Sequence, residues 1–346
     1  MEIYIYIFFF LLFASLLDNR QYLLYLVICL FLVAVSGFRG NDVGVDTSTY
    51  RSIYNYLSYG DYWPSVEPGW NFLNKIVASS GANFLTFLTI VSVLTLAPIF
   101  YVSKKCSPYM YLSIFCFYAL HFYSGAFNIT RQYMAISWVL LAYYMYQQDK
   151  WKTALIILLF AFTFHYSCLF AVLAYFFVKN NLTITRLIIY MIVAFVFGTV
   201  VNEQIISTIT FSEYANMSDT RGDMVTAAAL TIMADVYMLF IILSSSEMLR
   251  NSFWGKLFAL SIIVINATYM LHYGARVYAI FAITQIIYFP MFLKYSKFRN
   301  KLVPALLIIV YVSAQFWRML LANANTIIPY EINYQDLKNS FFSFIL

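Results

Sequence analysis

Charge is scarce in this sequence. Only 10% of its 346 residues are Asp, Glu, Lys or Arg, and 63% are hydrophobic, whereas a soluble domain carries about 25% charged residues. With a mean hydropathy of +0.76, this excludes a soluble globular fold. Long polar stretches are missing too: none exceeds the one at 38–82, so no second, soluble domain fits. The four cysteines (Cys29, Cys106, Cys116, Cys168) lie in or beside apolar runs and never take a CxxC spacing. That argues against metal and redox motifs and for small apolar packing residues. There is no Walker motif, no Gly-rich phosphate loop and no HExxH, so ATP-driven chemistry and zinc hydrolysis have no support. No metal and no cofactor is expected. The first apolar run starts at Ile3 with no basic region before it and no small-residue cleavage site after it, which predicts a retained helix and not a removed signal peptide.

What the chain does have is apolar runs of helical length, one after another, each closed by polar or basic punctuation. A helix needs about 20 apolar residues to cross a hydrocarbon core of ~30 Å, and only helices and closed barrels satisfy every backbone group there. The runs are continuous and not alternating, which favours helices. The expected fold is therefore an all-α, polytopic integral membrane helical bundle of about 10–12 transmembrane segments. It forms a single domain over 1–346 with a periplasmic loop at about 38–82. The expected spans are 3–17, 21–37, 83–103, 108–124, 132–148, a special segment 153–178, 187–201, 226–245, 257–273, 275–293 and 302–321. The net charge of +6 fits cytoplasmic loops facing anionic membrane lipid better than nucleic acid.

Lys and Arg in short loops set the orientation. Lys104 and Lys105, Lys150 and Lys152, and the group Lys294, Lys297, Arg299 and Lys301 mark cytoplasmic turns. Strict alternation fails at 153–178. A single crossing there puts Lys179 and Arg186 outside and the acidic residues Glu203, Glu213, Asp219 and Asp223 inside. The pattern is repaired if the segment enters and leaves on the same side, as a broken or re-entrant hairpin with His165 near its middle. Each half then has about 12 residues, roughly 18 Å of helix, and such breaks survive only inside protein or beside a water-filled cavity. One long tilted helix is the alternative. With the hairpin, Arg20, Arg186, Arg250 and Arg299 join nine lysines inside. Outside lie Arg39, Arg51, Arg131, Arg221, Arg276 and Arg318 with only Lys75 and Lys338. The outer arginines need another reason, and a planar guanidinium fork suits phosphate oxygens.

Four places carry candidate chemistry. In the 38–82 loop, Gly37, Gly40 and Gly44 flank Arg39 and Asp42, Asp46-Thr47 can start a short helix through Asn55, and Glu67-Pro68-Gly69-Trp70 follows. Asp46 is either a helix cap in a solvated loop or a reactive carboxylate. At Asn128-Ile129-Thr130-Arg131-Gln132 an arginine opens a helix, as an interfacial snorkelling residue or as part of an anion site. At Phe164-His165-Tyr166-Ser167 an imidazole lies in an apolar segment, bonded to a neighbouring helix or able to relay a proton. His121 and His272 lie nearer helix ends. Tyr273-Gly274-Ala275-Arg276-Val277-Tyr278 puts another arginine at a helix start. Asp235, in an apolar run, either faces a cavity or makes an interhelical bond, and Ile328-Pro329-Tyr330-Glu331 has an interfacial character.

In this order, these elements resemble the EpsG family, which groups with Wzy-type polymerases of O-antigen and related surface polysaccharides. They are the glycine-flanked Arg39, then Val43-Gly44-Val45-Asp46-Thr47 and Tyr50, Glu67-Pro68-Gly69, Thr130-Arg131-Gln132, Phe164-His165 with Ser167, and Arg276 with Tyr278. The resemblance spans about residues 1–330. It implies a multi-pass protein of the bacterial inner membrane whose substrates are oligosaccharide repeat units on undecaprenyl pyrophosphate. The implied reaction is block transfer on the periplasmic side, with a chain-length regulator as a possible protein partner. On that basis Arg131 and Arg276, with Arg39 as a third, are expected to bind pyrophosphate and stabilise the leaving group. Asp46 or His165 is expected as general base, with Glu67 behind them. A lipid-linked oligosaccharide flippase is an alternative that would show two related halves. A glycan-modifying membrane acyltransferase is another, and would place its key residues on the cytoplasmic side.

Overall fold

The computed structural model describes residues 1–17, 21–60, 62–209, 221–271, 274–334 and 336–338, with the side chains of 201–209 and 221–227 left aside. The expectations for Arg20, Glu203, Glu213, Asp219, Arg221, Asp223, His272 and Tyr273 therefore lie outside the described residues or side chains. The fold is an all-α helical bundle, with helices, two isolated bridges and no strand among the described residues. Two compact units form: Met1–Leu169 with Ala305–Leu346, and Phe170–Pro304.

The first unit starts with α1 (Glu2–Ala14) and α2 (Tyr22–Gly37). The 38–82 loop then folds into two short amphipathic helices, α3 (Thr47–Ser58) and α4 (Pro68–Ser79). In α3 the buried positions Thr47, Tyr50, Ile53, Tyr54 and Leu57 recur at helical spacing, the stripe that lets a helix lie on a core. In α4, Pro68 stands at the first helical position, where its missing N–H costs nothing. Next come α5 (Phe84–Cys106), α6 (Met110–Ala119) and α7 (Phe122–Asn128), then α8 (Thr130–Gln147) and α9 (Trp151–Phe164). The α8–α9 hairpin turns through Asp149, which takes the left-handed conformation, and α8 packs along α5 and α9.

His165, in extended conformation, ends α9, and a 3-10 segment Tyr166–Ala171 leads into α10 (Val172–Phe177). The break expected in 153–178 is thus present and falls at His165. In the second unit, α11 (Ile184–Ile209), α12 (Arg221–Ser244) and α13 (Glu247–Asn251) precede α14 (Phe253–Thr268), α15 (Gly274–Ala282) and α16 (Gln285–Tyr295). Helix α14 is its centre, packed by α10, α11, α12, α15 and α16. Phe258 stacks on Tyr288 at 4.0 Å there. Finally α17 (Leu302–Ala322) brings Phe316 onto Phe8 of α1 at 4.4 Å in the first unit.

Two described helices, α5 and α17, are each long and apolar enough to cross a membrane. The bent pairs α6 with α7 (47°) and α15 with α16 (44°) each qualify as one broken span. Seven further apolar helices are shorter. The 108–124 and 275–293 runs, expected as single spans, are therefore kinked pairs. The first bend comes at His121, whose φ of 71° interrupts the helical path.

Candidate functional site

Antiparallel pairing of α8 and α9 places the start of one beside the end of the other. His165, which closes the 14 residues of α9, is consequently level with Arg131 and Gln132, which open α8. The link is direct: the side-chain amide of Gln132 donates to Ser167 Oγ at 3.4 Å, and Ser167 Oγ lies 2.7 Å from His165 Nδ1. The backbone N–H of Ser167 also donates to His165 Nδ1, at 3.3 Å.

The two loop helices meet the same place. Glu67 caps α4 by position, yet its carboxylate makes no cap bond and instead pairs with the guanidinium of Arg131. Gly69, two residues on, packs against Thr163 near the end of α9, so closely that a Cβ would lie 2.8 Å from the Thr163 carbonyl oxygen. Only glycine lets the start of α4 touch α9 there. Asp46 caps α3 by position, again without a side-chain cap bond, and its charge acts on the Tyr50 phenol one turn on. Arg131 is close enough for its charge to act on the same phenol. Burial pushes the Tyr50 phenol above its ordinary range, with Arg131 opposing and Asp46 adding to the rise. Asp46, Tyr50, Arg131, Glu67, Gln132, Ser167 and His165 thus form one polar cluster built from α3, α4, α8 and the break after α9.

Arg39 supports this cluster from behind. It is 1% exposed. Its guanidinium donates to Ser36 O at 2.6 Å and to the hydroxyls of Thr47 and Thr130 at 3.4 Å each, and lies 4.9 Å from the Phe127 ring centre. Thr47 opens α3 and Thr130 immediately precedes Arg131, so Arg39 ties together the two elements that present Tyr50 and Arg131. Burial lowers its pKa to about 10, and the phenols of Tyr123, Tyr4, Tyr50 and Tyr330 counteract that. Expected as a third anion ligand, Arg39 has its donors turned inward.

The segment after α17 holds the Arg39 loop in place. Gly40 N–H donates to Glu331 O at 2.7 Å, Gly44 N–H to Thr326 O at 2.9 Å, and Asn333 N–H to Phe38 O at 3.0 Å. Tyr330 donates its hydroxyl to Val35 O at 2.9 Å, and Arg51 pairs with Asp336 at 3.1 Å. Gly44 itself needs its φ of +93°, and a Cβ there would run into the Phe127 carbonyl. Sequence reasoning gave this segment only an interfacial character, because backbone pairing across nearly 300 residues leaves no local signature.

Of the expected site residues, Asp46, Glu67, Arg131 and His165 come together in the first unit, with Arg39 behind them. Arg276 belongs to the second unit, half-buried near the start of α15. Near it Tyr278 accepts from the Gln285 side chain at 2.8 Å. Asp235, also there, accepts from Asn266 at 2.9 Å. This carboxylate lies at an apolar groove of about 310 Å³ lined by Ile188, Ile192, Val196 and Ile232, so the cavity and interhelical alternatives both hold. No group of metal-ligating side chains occurs among the described residues.

One donor in the cluster is unsatisfied. Arg131 Nε is buried and has no hydrogen-bond partner among the described residues. A buried, charged N–H without an acceptor costs about 1–3 kcal/mol or more, so its retention suits a site that receives an external oxygen. No curated protein and no solved structure matches the chain. The pattern of the EpsG family matches residues 22–332, nearly the whole chain and every element of the cluster. The chain therefore belongs to the EpsG family, and is a membrane protein of polysaccharide biosynthesis with a glycosyltransferase-like character.

Proposed function

We propose that this chain is a multi-pass protein of the bacterial inner membrane that polymerises undecaprenyl-pyrophosphate-linked oligosaccharide repeat units into O-antigen or a related surface polysaccharide. The transfer takes place on the periplasmic side. An acceptor hydroxyl on the incoming unit attacks the anomeric carbon of the growing glycan. The bond from that carbon to the pyrophosphate breaks, and the electron pair leaves with undecaprenyl pyrophosphate. A base takes the hydroxyl proton, and cations hold the departing diphosphate.

The observation that carries this reading is the Arg131 guanidinium. Its Nη1 edge is held by Glu67, and its buried Nε–H has no acceptor among the described residues. A planar fork held in this way is ready for a phosphate oxygen. Arg276, in the second unit, is a separate candidate for anion binding in this reading, while Arg39 braces the first-unit site from within. The base comes from Asp46 or His165, with Glu67 engaged by Arg131. Chain length is set together with a regulator protein.

The test is a gel of surface polysaccharide from a deletion strain carrying the gene on a plasmid. Wild type restores a ladder of long chains. Arg131→Ala and Arg131→Lys, at normal protein level, leave single repeat units. Unchanged long chains in both variants would sink the assignment of Arg131. A deletion strain lacking even single units would favour a flippase.

A further inference from the structure

We infer that the second unit holds one anionic phospholipid, with an acyl chain in the groove between α11 and α14 and the phosphate at the turn between α10 and α11. This goes beyond the polymerase reading and does not depend on it. Helices α11 and α14 pack along each other, and an open groove of about 390 Å³ follows their seam. Tyr190, Val193 and Phe197 line it from α11, and Leu260 and Ile263 from α14. Steps of three and four residues put the α11 side chains on one face. All three are exposed, and from the first to the last the groove runs about 10 Å. At the turn between α10 and α11 the lining changes character, to the exposed side chains of Asn180 and Asn181.

The apolar wall selects the kind of occupant. A peptide laid along it would bring a row of backbone N–H and C=O groups to a surface with almost no partners for them. An acyl chain brings none. The turn selects the head group. Lys179 adjoins Asn180 in sequence. Arg186 donates to the Asn181 carbonyl at 3.0 Å, and Lys256, from α14, donates to the Val178 carbonyl at 2.9 Å. Three cations thus gather at one turn. Arg186 and Lys256 are held there by neutral carbonyls, and none of the three forms an ion pair with a carboxylate among the described residues. Unmatched cations at the mouth of an apolar groove complement a phosphate carried on a hydrocarbon chain. A choline or ethanolamine head group would set its own cation against them. Each of the three is expected to favour an anionic lipid by about fivefold.

The experiment is native mass spectrometry of the full chain in detergent, titrated separately with dioleoyl phosphatidylglycerol, dioleoyl phosphatidylcholine and undecaprenyl phosphate. The wild type should retain one phosphatidylglycerol and bind phosphatidylcholine far more weakly. Replacing Lys179 and Arg186 together by Gln should weaken phosphatidylglycerol about 25-fold, at about fivefold per cation, and leave phosphatidylcholine unchanged. Val193→Trp fills the groove and should weaken both. Lys294→Gln with Lys297→Gln, at exposed lysines outside the groove lining, should change little. Equal affinity for the two phospholipids would overturn the inference. So would an equal loss in the Lys294 and Lys297 variant, which would reduce the effect to general surface charge, or wild-type affinity in Val193→Trp. Tighter binding of undecaprenyl phosphate would also overturn it, because the groove would then belong to a polyprenyl chain. The wild type gives a second readout that misfolding of a variant cannot blur. Phosphatidylglycerol with a diazirine midway along one chain should label peptides of α11 and α14, and labelling confined to other helices would overturn the assignment.

Discussion

Removing Arg131 and removing Glu67 are expected to harm the protein unequally, and removing both is expected to harm it less than the two losses added. The side chains are 25% and 9% exposed, respectively. Losing one partner of a fully buried pair costs about 3–5 kcal/mol, and an exposed pair is worth about 0–1 kcal/mol. With Arg131 a quarter exposed, Arg131→Ala should cost about 2–3 kcal/mol, because it strands the more buried carboxylate. Glu67→Ala should cost only about 1–2 kcal/mol, since the quarter-exposed guanidinium keeps some solvent. The double variant removes both charges and should recover at least about 1 kcal/mol of the sum. At ~2–4 °C per kcal/mol for a unit of this size, Arg131→Ala lowers Tm by about 4–12 °C and the double variant lowers it by less than the two single losses combined. Thermal unfolding in a mild detergent reads all three. Polysaccharide gels complete the test: the double variant regains stability yet makes no long chains. Additive losses in Tm, or a long-chain ladder from the double variant, would refute the reasoning.

Other outcomes follow from single contacts. Gly69→Ala drives a Cβ into the Thr163 carbonyl; overpacking of this kind costs about 1–3 kcal/mol, and shorter chains on a gel at near-normal protein level are expected. Thr47→Val removes a hydroxyl that accepts from Arg39 and donates to Val43 O at 2.8 Å. The stranded guanidinium should lower stability by about 1–3 kcal/mol in thermal unfolding. Ending the chain at Ala322 deprives the N–H groups of Gly40 and Gly44 of their acceptors, and limited proteolysis should then cut within 38–46 while the full chain resists. Asn266→Ala leaves Asp235 without the 2.9 Å bond, and should lower the melting temperature more than Asn266→Asp paired with Asp235→Asn does.

Helix identity was legible because a membrane helix is written in one run. The expected 21–37 and 83–103 correspond to α2 and α5 within a few residues, and the break at His165 was signalled by charge placement along the loops. Kinks were not legible: the apolar run over 108–124 is unbroken, and the left-handed turn at His121 leaves no compositional mark. Helix α4 was not legible, because Pro68-Gly69 has the composition of a turn. Its start signal, proline at the first helical position after an extended Glu67, has the same letters. At the site, residue types could be named one by one, but nothing local says that Glu67 reaches Arg131 or that Gln132 reaches Ser167 across 64 and 35 positions. Arg39 shows the limit most clearly. A glycine-flanked arginine in a polar loop looks like a ligand residue, and only the fold reveals Thr47, Thr130 and Phe127 closing around it.

The most direct measurement is made on purified protein in liposomes supplied with lipid-linked repeat units alone. Wild type should lengthen the glycan and release one undecaprenyl pyrophosphate for each unit added, while Arg131→Ala releases almost none. Equal release and equal lengthening by Arg131→Ala would contradict an account in which that guanidinium holds the departing diphosphate.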